Sequence, residues 1–142
     1  MLRGGQWGYD RLKVLAEDTD FDGLFCDPAN DGFTFYQQMY PEVCRLGGED
    51  PAVGRKLYRY FGQAGIPEPQ LRLMQDLAAT EDRKAIAVLT LEACAEAITG
   101  AGLASAAEVA AALTDLRAFV ADPGTLLRPA DLPGLGAPLN RR

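Results

Sequence analysis

A chain of 142 residues with 48% hydrophobic content is one domain's worth of globular sequence, able to bury a single modest core. Its formal net charge of −6 excludes the basic face that nucleic acid or an anionic membrane surface requires, and its lack of histidine excludes Ser-His and Cys-His nucleophiles within the chain. Cys26, Cys44 and Cys94 are odd in number and far apart, a pattern that fits neither a disulfide framework nor a zinc site.

Met1–Arg11 is glycine-rich and irregular, with no signal-peptide apolar segment, and no stretch of the chain is apolar enough to predict a membrane span. A cytoplasmic protein with reduced thiols is therefore expected. The short apolar run Leu12–Ala16 predicts a buried strand, and the acids Glu17, Asp18, Asp20, Asp22, Asp27 and Asp31 follow it closely. Asp18, Asp20, Asp22 and Gly23 have the spacing that opens a calcium-binding EF-hand loop. The loop's twelfth position, which must supply a bidentate glutamate, is Ala29, and its eleventh is Pro28, so a metal site is not expected.

Asp27–Gly32 reads as a loop, and Phe33, Tyr36, Tyr40 and Val43 predict a helix over Phe33–Leu46, stopped by Gly47-Gly48 and kinked or split at Pro41. Asp50 as N-cap, Pro51 in the first turn and Gly65 beyond the last turn frame a second helix. Its expected apolar face is Val53, Leu57, Tyr60, Phe61 and Ala64, with Arg55 and Lys56 solvated. Leu71–Gln75 alternates like a strand. Thr80–Thr99 is helical, with Ile86, Val88, Leu89, Leu91, Ala93, Cys94, Ala97 and Ile98 making a face wide enough to be buried on more than one side. Ser105 and Glu108 form a capping box for a last helix through Val109, Leu113, Leu116 and Phe119, which ends at Asp122-Pro123-Gly124. The remainder has proline and glycine without periodicity, and residues 127–142 are expected to be an irregular tail.

Strand, helices, strand and helices follow α/β order, but two strands are too few for a doubly wound sheet. The run from Gly4-Gly5 through Val14–Pro28, the stretch Gly47–Leu57 and the stretch Phe61–Gly65 resemble the C-terminal half of class I S-adenosylmethionine-dependent methyltransferases of the bacterial small-molecule type. The resemblance spans residues 4–126. It implies a helix-rich partial Rossmann-like sheet in which Leu12–Ala16 is the fifth strand and Gln70–Gln75 the sixth. The helices Thr80–Thr99 and Ser105–Ala121 would be the insertion before a last strand. The sequence departs from the family in Gln6–Arg11, in the missing closing strand, and in having neither the glycine-rich loop nor the acidic residue that hold the methyl donor.

The resemblance implies S-adenosylmethionine as cofactor, yet this chain alone is not expected to bind it and no cofactor-binding residue is assigned. The donor-binding N-terminal half would be a separate polypeptide or a segment lost from the reading frame. Ligands of open α/β sheets sit beyond the carboxyl ends of strands. Asp18 and Asp20 would thus face a cationic or hydroxylated small-molecule acceptor, and Phe21 and Phe25 would pack on its apolar part. In the competing reading Asp20 and Asp22 only shape a turn. A second function also fits the sequence: a non-catalytic interaction module in which Ile86–Ile98 and Val109–Val120 form a dimer or partner interface. An exposed edge on Leu12–Ala16 would also favour self-association.

Overall fold

Helical segments dominate the computed structural model, which describes residues 16, 18, 20–66, 68–73 and 76–129. Helix α1 spans Asp31–Leu46 and starts two residues earlier than its apolar periodicity indicates. The cause is Asn30, whose Oδ1 accepts the Phe33 N–H at 2.8 Å and satisfies one of the orphan donors of the first turn. Pro41 does not split the helix; it lies buried within it. At the other end the Gly47 N–H closes on Val43 and Gly48 takes the left-handed conformation, so the glycine pair is the stop.

Helix α2 is shorter than expected, Leu57–Gln63, because Asp50 caps a turn instead of a helix. Its Oδ1 accepts the Ala52 N–H, and a 3₁₀ turn over Gly54–Lys56 comes before α2. Gly65 has φ +75°, and the Ile66 N–H reaches back to Phe61, which makes Gly65 the C′ residue the sequence indicates. The expected apolar face of this helix is not buried: no residue of α2 is, and Tyr60 is 41% exposed.

Helices α3 (Glu81–Gly100) and α4 (Ala106–Ala121) form an antiparallel pair that packs against α1. Val88, Leu91 and Ile98 from α3 meet Val109, Leu116 and Phe119 from α4 and Phe33 and Tyr36 from α1. Each large side chain enclosed in this way contributes about 1.5–3 kcal/mol. Close approach requires a small residue where α1 crosses α4: a Cβ on Gly32 would lie 2.4 Å from the Ala112 carbonyl oxygen. The buried face of α3 is a single stripe, not the wide surface its composition indicates. Leu89 is 58% exposed, and Ala93 and Ala97 are also exposed.

The capping box of α4 is formed as the sequence predicts. Ser105 Oγ accepts the Glu108 N–H at 3.2 Å, and Glu108 Oε2 accepts the Ser105 N–H at 2.7 Å. Replacing Ser105 with alanine is expected to destabilise the chain by ~1 kcal/mol. Urea melts of wild type and Ser105→Ala measure this, and coincident curves would show that the cap contributes nothing.

The sheet differs most from expectation. Strand β1 (Phe25–Asp27) pairs antiparallel with β2 (Leu126–Arg128), placing Phe25 opposite Arg128, Cys26 opposite Leu127 and Asp27 opposite Leu126. Ala78 bridges to the other edge of Leu127 through both backbone groups. The described residues thus hold a helix-rich fold with one two-stranded antiparallel sheet; a doubly wound parallel sheet is not among them. Leu12–Leu15 of the expected first strand lie outside the described residues, and Ala16 is not in a strand. Leu71–Leu73 form no strand either, because nothing covers their alternating side chains: Leu71 is 61% and Leu73 77% exposed, and Met74 and Gln75 lie outside the described residues. The irregular segment expected after α4 begins instead with β2, whose Leu127 is fully buried; residues 130–142 lie outside the described residues. No helix among the described residues is long and apolar enough to cross a membrane.

Two cations are buried among the described residues. Lys84, 1% exposed, reaches from the first turns of α3 to the end of α4. There its Nζ donates to the Asp122 carbonyl at 2.6 Å and to Thr125 Oγ1 at 2.8 Å. Arg128, 2% exposed, has no such set of acceptors: its Nε and Nη1 are buried without a hydrogen-bond partner.

Candidate functional site

The acidic segment folds into a 3₁₀ turn over Phe21–Gly23 that leads into β1. Three contacts fix the turn. The Phe21 N–H donates to the Pro51 carbonyl at 3.0 Å, Gln37 Nε2 donates to the Leu24 carbonyl at 2.8 Å, and the Phe21 ring enters the core. There it meets Tyr36 edge-on at 5.4 Å between centroids and Tyr40 at 4.8 Å. Edge-to-face and tilted pairs of this kind add about 0.5–1.5 kcal/mol beyond burial.

Of the residues expected to face a substrate, Phe21 therefore does not. It is 3% exposed and serves as the anchor of the loop. Asp18 is exposed. Phe25, 45% exposed, is on the strand next to the turn. Asp20 accepts from Arg55 Nε at 2.7 Å and from Arg55 Nη2 at 2.6 Å, a bidentate pair, while Asp22 lies 3.1 Å from the same Nη2. The side-chain partner of Asp20 is Arg55, and the Asp22 backbone N–H also favours its charged form. Arg55 and Lys56 are correspondingly not a free solvated face, since Lys56 pairs with Asp50.

The electrostatics follow from these pairs. The Arg55 guanidinium bonded to Asp20 holds that carboxyl below its ordinary range, and Arg128 pulls in the same direction from farther away. A carboxylate whose pKa is lower in the folded than in the unfolded state contributes stability above its unfolded pKa and loses it as pH falls through the folded value. The destabilisation caused by Asp20→Asn is therefore expected to be present at neutral pH and to shrink as pH falls below the ordinary carboxylate range. Urea melts of both proteins across that range test this; a difference that persists undiminished in acid would rule out the charge as its source.

Among the described residues, no thiol or phenol is shifted toward its nucleophilic anion. Burial pushes the thiols of Cys26, Cys44 and Cys94 up, away from the thiolate. Burial likewise raises Tyr36 strongly and Tyr40 to about 12, so both phenols remain protonated. The chemistry available at the loop is binding and proton acceptance by carboxylates.

Sequence reasoning missed Arg128, which β2 carries to the back of the turn. A Cβ on Gly23 would lie 2.0 Å from Arg128 Nη1, so the guanidinium rests directly against the glycine backbone. The one signal in the sequence was an arginine within an otherwise apolar run, Leu126-Leu127-Arg128. A separate open cavity of about 400 Å³ lies against α2, lined in part by Tyr58, Arg59, Ile66 and Glu68, and shares no residue with the Asp20–Gly23 turn. Comparison of the chain with protein-family models, with curated proteins and with solved structures found no match.

Proposed function

We propose that this chain is the acceptor-side part of an S-adenosylmethionine-dependent small-molecule methyltransferase and works with a donor-binding part that it does not itself contain. The observation that carries the reading is a contact between two of the stretches that resemble that family. Gly47–Leu57 closes on the acidic turn through the Pro51 carbonyl and the Arg55 side chain, so these stretches act as one unit. The complete enzyme would have the doubly wound sheet of its class, with this chain adding helices at one side.

The methyl donor is left to the other part. The passage from β1 to α1 contains Pro28 where a nucleotide-binding turn needs glycine, and Asn30 already occupies the N–H at the start of α1. The part assigned to this chain is to orient the acceptor. Asp22, which meets Arg55 yet is 63% exposed in its side chain, offers a carboxylate to a hydroxyl or ammonium group, and Phe25 offers an apolar surface. Such positioning is the main contribution a protein makes to a displacement between two bound reactants.

Calorimetry of the purified 142-residue chain is expected to show no micromolar complex with S-adenosylmethionine, whereas co-expression with a donor-binding half of a class I methyltransferase is expected to create one. Tight binding by the lone chain would overturn the division of labour.

A second reading, a non-catalytic interaction module, is favoured by one observation. Tyr58, Tyr60, Leu71 and Leu73 are all at least 41% exposed on and after α2. The apolar faces of α3 and α4, which the sequence offers for that role, instead pack on each other and on α1. Size exclusion of the lone chain separates the readings: a stable homodimer dispersed by Leu73→Glu would favour the module.

A further inference from the structure

We infer that the open cavity against α2 is a binding site for a free aromatic α-amino acid, with its carboxylate on Arg59 and its ammonium group on Glu68. The site shares no residue with the Asp20–Gly23 turn and does not depend on the function proposed above.

The cavity holds about 400 Å³, within the range of sites for small ligands. Two residues of its wall are poor choices for the chain taken alone. Gly62 lies in the last turn of α2 without a left-handed backbone, and a Cβ there would meet nothing within 4 Å. Neither conformation nor packing calls for glycine, and alanine is the better helix former. Glu68 is the reverse case. It is the one non-glycine among the described residues with a left-handed backbone, φ 49°, where glycine is the relaxed choice. Sites are where proteins break such local rules, and both departures fall on this one cavity. The missing Cβ leaves bare backbone for a flat group to approach, and the left-handed turn sets a carboxylate on the same wall.

The charges define the ligand. Arg59 and Glu68 are both exposed, and neither has an ion-pair partner among the described residues, each other included. The Arg59 guanidinium lies over the Tyr60 ring at 5.4 Å from its centroid, a contact through its flat face. Its in-plane N–H donors remain available to a carboxylate. A molecule with one charge of each sign joins Arg59 to Glu68 across the cavity. Its zero net charge meets no repulsion from a chain of net charge −6. Tyr58, 60% exposed, supplies an aromatic face, and Ile66 and Pro69 supply apolar wall, which suits an aromatic side chain.

Titration of the full ¹⁵N-labelled chain with L-phenylalanine tests the site through the Gly65 amide resonance. Saturable movement at roughly millimolar concentration is expected of so open a cavity. Phenylalanine amide, which lacks the carboxylate, and 3-phenylpropionate, which lacks the ammonium group, should each bind about tenfold more weakly. Two variants separate binding from folding. Gly62→Ala, which fills the bare wall, and Glu68→Gly, which relaxes the turn, are each expected to hold or raise the urea midpoint. Each should nonetheless weaken phenylalanine about tenfold or more. Residues with a merely structural role would leave binding unchanged as stability rises. A Gly65 resonance that does not saturate, equal binding of phenylalanine and either analogue, or undiminished binding in both variants would overturn the site.

Discussion

Replacing Lys84 with methionine is expected to lower the unfolding free energy by about 2 kcal/mol, the scale of hydrogen bonds to a charged group whose buried acceptors are left unmet. The methylene stem fits the same space, so little packing is lost. What disappears is the ammonium group that Asp122 and Thr125 surround at the end of α4. Their oxygens remain in a buried site with fewer donors, and the negative end of the α4 dipole loses its cation. Urea denaturation gives the number directly. A loss below about 1 kcal/mol, the size of a surface substitution or a minor cap, would mean that water replaces the ammonium group.

Arg128→Met is expected to act in the opposite direction, raising stability by about 2 kcal/mol, since an apolar side chain in place of a poorly compensated buried charge is often stabilising by 1–4 kcal/mol. The two cations are equally buried and differ in their partners: Lys84 is surrounded by acceptors, whereas Arg128 Nε and Nη1 have none. Asp20 keeps its bidentate arginine in the variant, so no carboxylate is stranded. The same urea series decides the matter. A drop in stability would show that the guanidinium is satisfied in solution.

The parts of the fold written in local sequence were readable, and those that depend on distant partners were not. Helices α1, α3 and α4 announce themselves through their apolar periods and, for α4, through Ser105 with Glu108, because caps and periodicity act over three or four residues; Asn30, the cap of α1, read as part of a loop. The ladder of β1 and β2 has no comparable signal. Each strand is three residues long, and its stability comes from a partner about a hundred residues away and from α-helices beneath it. Leu71–Leu73 show the reverse error, an alternating pattern with no neighbour to complete it. At the site, the acidic turn was legible from composition, but its roles were not. Phe21 reads equally well as a contact or an anchor until Tyr36 and Tyr40 are placed around it. A buried arginine or lysine contradicts the usual exposure of its type, so the arginine beside Leu126-Leu127 was the one hint of Arg128 and no pattern pointed to Lys84.

The long span between the paired strands has a consequence for synthesis. A ribosome adds about 5–20 residues per second, so Phe25–Asp27 emerges roughly 5–20 s before Leu126–Arg128 exists. Isolated helices and helix pairs form within microseconds, so α1 and α3 are available early, but the strand that closes the aromatic cluster to the rest of the chain waits with its backbone unpaired. Phe25 and the orphaned edge of β1 are then open to any extended segment nearby. Translation speed through α3 and α4 thus sets how long this protein remains vulnerable to mispairing, and the final few residues of the ladder, not the helices, end that interval.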